Sequence, residues 1–145
     1  MFSPTLSIFP WSLEIPHQDV NFASGQSVIP PEEMPKVKGA VEDIQTAIKR
    51  YGGIVKITLF VAGYTDTVGS AEGNHLLSEA RAAAISRALR KGGIKVPIRY
   101  VGFGEDNLKV NTPDETVDPQ NRRAAYILSV DAPPVSGTDG WKPLP

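Results

Sequence analysis

The sequence predicts an α/β fold, in detail an α+β sandwich of order β-α-β-α-β-β, with a mixed sheet and the helices packed on one face. Three observations predict it. Two stretches of helical periodicity each stop at a Gly-Gly pair, Gly52-Gly53 and Gly92-Gly93. Between them, residues 54–62 (IVKITLFVA) are apolar enough on both faces for a central strand. Two further β-rich runs follow the second helix, at 95–102 and 124–130.

Each element has its own reason. Residues 19–24 (DVNFAS) alternate apolar and polar positions and predict the first strand. Pro30-Pro31-Glu32-Glu33 marks a helix start, with Pro and acid in the first turn. Val37, Val41, Ile44 and Ile48 recur at spacings of four, three and four, which is one helical face. Gly63 ends the central strand. The second helix is expected to run to about Lys91, with Leu76, Leu77, Ala80, Ala84, Ile85, Ala88 and Leu89 as its buried stripe. Residues 103–120 form a long polar loop, the kind of segment that small domains keep for function or motion. A crossover between parallel strands is expected to be right-handed.

The flanks differ from this pattern. Residues 1–19 carry Pro4, Pro10 and Pro16, with Leu13 and Ile15 in alternation, and read as a linker or an edge strand. Residues 132–145, which include Trp141, read as a flexible tail. The folded unit is therefore expected over 20–131.

Composition narrows the function. The chain has 145 residues, 15 basic and 16 acidic, for a formal net charge of −1. That balance gives no electrostatic reason to expect nucleic acid. Cysteine is absent, which removes disulfide scaffolds, thiol nucleophiles and Cys-ligated zinc. With only His17 and His75, a His-rich metal site is not expected either. No segment approaches the roughly 18 apolar residues of a membrane span, and no signal-peptide pattern opens the chain. The chain is expected to be either cytoplasmic or a piece of a longer exported protein, without membrane contact of its own.

One stretch, 63–82 (GYTDTVGSAEGNHLLSEARA), concentrates polar chemistry. Asp66 lies just past the C-terminal end of the central strand, the edge where open α/β sheets usually bind ligands. Asn74, Ser78 and Arg81 stand at i, i+4 and i+7 on one helical stripe that rises roughly 10 Å. Helical side chains lean toward the N-terminus, so Arg81 is expected to reach toward the Asp66 loop. A carboxylate, an amide and a guanidinium would then converge on a shallow pocket suited to a zwitterion. The acid pairs with an ammonium and the guanidinium fork takes a carboxylate. Ser78 has no His at a relay spacing, so the constellation is read as binding rather than catalysis.

This stretch, with YVGFGED at 100–106 and NRRAAYI at 121–127, resembles the C-terminal domain of outer-membrane protein A and its relatives. The pattern is carried by Thr65-Asp66, Gly69, Asn74, Leu77-Ser78, Arg81-Ala82, Gly102, Gly104-Glu105 and Asn121-Arg122-Arg123, across about residues 20–130. Its departures are Tyr64 for a His, Ala23 for an Asp after Phe22, and Gly25 where polar residues are common. The resemblance implies non-covalent binding of peptidoglycan through diaminopimelate in the stem peptide. It implies a ligand set of Asp66 and Arg81 as main anchors, Asn74 and Arg122 as supporting contacts, and Thr65 and Leu77 beside them. It also implies a periplasmic setting, with the chain tethering an outer-membrane or envelope protein to the wall, and no cofactor or metal.

Plainer readings stand beside these. Asp66 can serve as an Asx-turn residue, Asn74 as a cap, and Arg81 as a solvated helix residue. Alternation along a strand sends Arg122 and Arg123 to opposite faces, so at most one meets the pocket, and Arg122 is chosen. Glu105 and Asp106 read as turn residues rather than a cation site. The alternative function is a degenerate module that binds protein or forms a homodimer without peptidoglycan. A hydrolase using Asp66 and His75 lacks a nucleophile on their stripe. If Arg81 is a pocket residue, Arg81→Ala is expected to leave the melting curve nearly unchanged.

Overall fold

The computed structural model describes residues 5–8, 11–15, 20–53, 56–104, 112–114, 116, 124–130, 132 and 140–145. Among the described residues, six strands and two helices follow in chain order: β1 (Thr5–Ile8), β2 (Trp11–Glu14), α1 (Met34–Tyr51), β3 (Thr58–Gly63), α2 (Ala71–Lys91), β4 (Ile98–Gly102), β5 (Ala124–Ser129) and β6 (Lys142–Pro143). The sheet order is β1-β2-β5-β3-β4-β6. Only β3 and β4 are parallel, joined through α2; the other neighbours are antiparallel. The α/β class with a mixed sheet is therefore as predicted.

Register explains the core. Leu59 pairs with Leu128 on one side and Ile98 on the other, and Leu128 also pairs with Leu13. All four are buried on one face. Val37, Ala40, Val41, Ile44 and Ala47 of α1 pack into the same cluster, and Ile48 lies against it, so the four-three-four spacing marks the buried face. A 3₁₀ turn over Pro31–Glu33 leads into α1, where Pro and acid were expected.

The first strand is placed differently. Residues 20–24 alternate as a strand would, with Val20 and Phe22 buried, yet they form no strand. The Asn21 N–H donates to the Glu33 carboxylate (2.9 Å) rather than to a ladder partner, and the chain turns at Ala23–Gln26. β2 takes the place beside β5 instead. Burial of alternate side chains is common to both geometries, so the pattern alone does not separate them.

The C-terminal end also joins the sheet. β6 pairs with β4, and the Leu144 N–H donates to Ile98 O (2.9 Å). Trp141 stands edge-on to Phe60 at 5.0 Å between centroids. Prolines suggest an unpaired tail, but Trp141 and Leu144 give residues 141–144 apolar anchors on either side of the β4 edge.

The buried stripe of α2 is rotated from the expected one. It consists of Asn74, Ser78, Arg81, Ala82, Ala83, Ile85, Ser86 and Leu89, while Leu76 is 63% exposed. The cause is close approach. Gly63 and Gly102 are paired across β3 and β4, and a Cβ on either would overlap α2 at Ser78 and Glu79. The helix backbone thus lies flush on the strand ends, and its polar N-terminal face is pressed into the protein.

Glu33 fastens the segment before α1. Its carboxylate accepts from the Asn21 N–H and from Lys36 Nζ, at 2.8 Å for the closer oxygen. Burial acts to raise its pKa, but the Lys36 hydrogen bond and charge with the Asn21 N–H together outweigh it and hold the group below its ordinary 4.5. A depressed acid contributes stability above its unfolded pKa and loses it as pH falls through the folded value. Acid unfolding of the wild type should therefore include a loss of stability that begins as pH falls past the ordinary carboxylate value of 4.5 and grows down through the lower folded value. Glu33→Gln should lack that component when stability is measured by denaturant titration from pH 6 to 3.

Candidate functional site

The site is built where β3 and β4 end. Beyond Gly63 the chain still follows its neighbour: the Phe103 N–H donates to Gly63 O (2.9 Å) and the Thr65 N–H to Gly104 O (2.8 Å). Asp66 then turns back toward α2. Ser70 caps that helix, its hydroxyl accepting from the Gly73 N–H at 3.0 Å.

The stripe of Asn74, Ser78 and Arg81 does reach one loop cluster, and each member holds a different loop. Asn74 Nδ2 donates to Asp66 O (3.3 Å) and Val68 O (2.9 Å), binding the turn after β3 to the first turn of α2. Ser78 Oγ donates to His75 O (2.8 Å) and accepts from the Gly104 N–H (2.8 Å), binding the turn after β4. Arg81 Nε donates to Gln26 O (2.8 Å), Nη2 to Ala23 O (3.2 Å) and Nη1 to Tyr64 O (3.5 Å). Its guanidinium lies over the Phe22 ring at 5.1 Å.

Asp66 and Arg81 therefore belong to the same cluster, with Tyr64 O linking the guanidinium to the chain two residues before the acid. The shallow open pocket expected from spacing is not what forms. Asp66 is 4% exposed and Arg81 is 0% exposed. A buried guanidinium must be satisfied, and here main-chain carbonyls do it. Ala23 and Gly25, where the family pattern favours polar side chains, sit in the loop that supplies those carbonyls, and Gly25 takes φ +70°.

Asp66 also plays the plain part foreseen for it. Its Oδ1 accepts from the Val68 N–H (3.3 Å), closing an Asx turn across Thr67. Thr65 is 1% exposed, and its hydroxyl finds no hydrogen-bond partner among the described residues. Leu77 is half-buried on α2. Arg122, with Asn121, Arg123, Glu105 and Asp106, lies outside the described residues, as does His17.

Two contributions escape sequence reasoning: the main-chain role of Gly104, named above only as part of the family pattern, and Thr67. Gly104 presents its carbonyl to Thr65 and its N–H to Ser78. Thr67 is buried, and its hydroxyl meets Thr112, Pro113 and Thr116. Main-chain partners leave no mark in side-chain spacing, and Thr67 precedes its partners by 45 residues or more. For chemistry, Ser78 Oγ donates to a backbone carbonyl and not to an imidazole. The cluster offers charge and hydrogen bonding for holding a ligand, without an activated nucleophile at Ser78.

No helix among the described residues is long and apolar enough to cross a membrane. The peptidoglycan-associated lipoprotein of Legionella pneumophila is 30% identical over 119 residues, covering 81% of this chain. The matched part is 64% of that relative's length. Two solved structures share the fold. One is the peptidoglycan-associated lipoprotein of Burkholderia pseudomallei, with TM-score 0.63, 22% identity, and coverage of 77% of this chain and 90% of that one. The other is a periplasmic domain of MotB from Helicobacter pylori, with TM-score 0.61, 18% identity, and coverage of 89% and 88%. The family model described as OmpA family matches residues 21–122, and this chain belongs to the OmpA family.

Proposed function

We propose that this chain binds peptidoglycan non-covalently through the diaminopimelate group of the stem peptide, and so anchors an envelope protein to the cell wall in the periplasm. The observation that carries the reading is the shared cluster of Asp66 and Arg81 in a member of this family. Opposite charges at one strand edge match a ligand centre that bears an ammonium and a carboxylate.

In this reading the Asp66 carboxylate takes the ammonium. The ligand carboxylate takes the Nε and Nη2 donors of Arg81 that Gln26 O and Ala23 O accept in this structure. Binding thus requires residues 23–26 to give way, and that loop is exposed along its length. An ionised acceptor replaces neutral carbonyls on the same guanidinium, which supplies the driving force. Asn74 keeps the acid's turn on the helix, Thr65 offers its hydroxyl, and Leu77 and Arg122 complete the set. These contacts all fall within residues 20–131, on a sheet that β1, β2 and β6 complete from outside that range.

Two charge-assisted pairs contribute about 1.5–3 kcal/mol each. One domain would bind weakly to moderately, and firm anchoring would come from many copies on one polymer. Calorimetric titration with a stem peptide ending in diaminopimelate tests the reading. The lysine counterpart keeps the ammonium but lacks the second carboxylate, and should bind at least about tenfold more weakly. Equal affinity for both removes the Arg81 half of the mechanism. The Legionella pneumophila and Burkholderia pseudomallei relatives, whose names describe association with peptidoglycan, support the choice of polymer.

A further inference from the structure

We infer that Thr67, which lies outside the ligand set, is a positioning residue that holds the Asp66 carboxylate in place; the inference rests on the binding role proposed above for Asp66. The turn from Asp66 to Val68 is closed by the Val68 N–H on Asp66 Oδ1 (3.3 Å), so Thr67 is its middle residue. Whatever fixes Thr67 fixes both ends of the turn, including the direction of the carboxylate.

The Thr67 hydroxyl is placed to do this. The residue is 4% exposed. Its Oγ1 donates to Pro113 O (2.7 Å) and accepts from the Thr116 N–H (3.0 Å). Thr112 Oγ1 lies at 3.3 Å and Thr116 O at 3.3 Å. A hydroxyl has one proton and two lone pairs. The short contact to Pro113 O takes the proton, the Thr116 amide takes one lone pair, and the Thr112 hydroxyl is in reach of the other. The group is thus fully used by a segment 45 to 49 residues away.

On its other side the turn is held by Asn74 Nδ2, which donates to Asp66 O and Val68 O. Asn74 grips the turn by its flanking carbonyls and Thr67 grips it by its centre. With the centre released, the turn keeps the Asn74 bonds and the Thr65–Gly104 bond on its flanks but loses the tie at its middle, and the direction of Asp66 Oδ1 is set less tightly. A purely structural role is the competing account. There the hydroxyl pins residues 112, 113 and 116 and adds stability without orienting Asp66.

Thr67→Val keeps the shape and removes the hydroxyl, and Thr67→Ser keeps the hydroxyl. Both are made in the full chain. The first readout needs no ligand: amide exchange at Val68, whose N–H bonds Asp66. Thr67→Val should speed it by about tenfold beyond what any fall in global stability accounts for, and Thr67→Ser should restore it. The second readout is affinity for the stem peptide ending in diaminopimelate, which should fall by about tenfold in Thr67→Val and return in Thr67→Ser. Val68 protection that drops only in step with global stability, or a Ser variant that behaves like Val, overturns the inference. Should the wild type fail to bind the peptide, the function proposed above fails, and Val68 exchange still decides the role of Thr67. Should Thr67→Val not fold, Thr116→Pro deletes the N–H that Thr67 accepts. It must speed Val68 exchange in the same way, and unchanged exchange overturns the inference.

Discussion

Replacing Arg81 by Ala should destabilise the chain by about 3–5 kcal/mol and abolish stem-peptide binding. Arg81 is fully buried, and its guanidinium satisfies the carbonyls of Gln26, Ala23 and Tyr64 while covering Phe22. Truncation leaves those acceptors with lost partners and a void over the aromatic ring. A solvated pocket arginine would behave otherwise, since its removal would cost almost nothing in stability. The structure therefore reverses the expectation of an unchanged melting curve. Arg81→Lys keeps the charge but not the planar fork, and cannot hold Nε and Nη2 partners together. It should fall between wild type and Ala in both readouts. Urea unfolding measures the first effect, and a loss below about 0.5 kcal/mol for Arg81→Ala would mean that the guanidinium is bathed in solvent.

The second large effect is expected at Gly102. A Cβ there would overlap the Glu79 N–H and Cα and the Ser78 hydroxyl. Gly63 meets Ser78 in the same way from the neighbouring strand. Backbone cannot yield as a flexible side chain can, so α2 must stand off from β3 and β4. Gly102→Ala should cost more than about 3 kcal/mol, or leave the chain unfolded. Where a folded fraction survives, Ser78 would lose the Gly104 N–H and Arg81, one turn on, would lose its reach to residues 23–26. A cost under about 1 kcal/mol by denaturant unfolding would contradict the flush packing.

Much of the architecture was legible because period and punctuation are local. Val37, Val41, Ile44 and Ile48 sit on one face by arithmetic, and the Gly pairs stop helices whatever surrounds them. The Asn74–Ser78–Arg81 stripe was legible for the same reason, and it does meet the Asp66 loop at the C-terminal end of β3. What was not legible depended on partners distant in sequence. Residues 20–24 alternate like a strand, but the Glu33 carboxylate captures the Asn21 amide and β2 holds the place beside β5. Leu76 and Leu77 point to one face of α2, yet the buried face is another, because the glycines that draw the helix down lie at Gly63 and Gly102. Enclosure of Arg81 was invisible because its acceptors are carbonyls, which every residue carries. For the same reason no spacing rule singles out Thr67, whose partners Thr112, Pro113 and Thr116 come from across the chain.

The central claim is that a ligand carboxylate takes Arg81 from the carbonyls of residues 23–26. The most direct measurement follows the Arg81 Nε–H and the amides of residues 23–26 by NMR, during titration of the wild-type chain with the stem peptide ending in diaminopimelate and then with its lysine counterpart. The account predicts that the first peptide shifts all of these signals together and saturably, and that the second leaves the Arg81 signal where it stands. Equal shifts from both peptides, or binding of the first with Arg81 and the 23–26 loop unmoved, would contradict it.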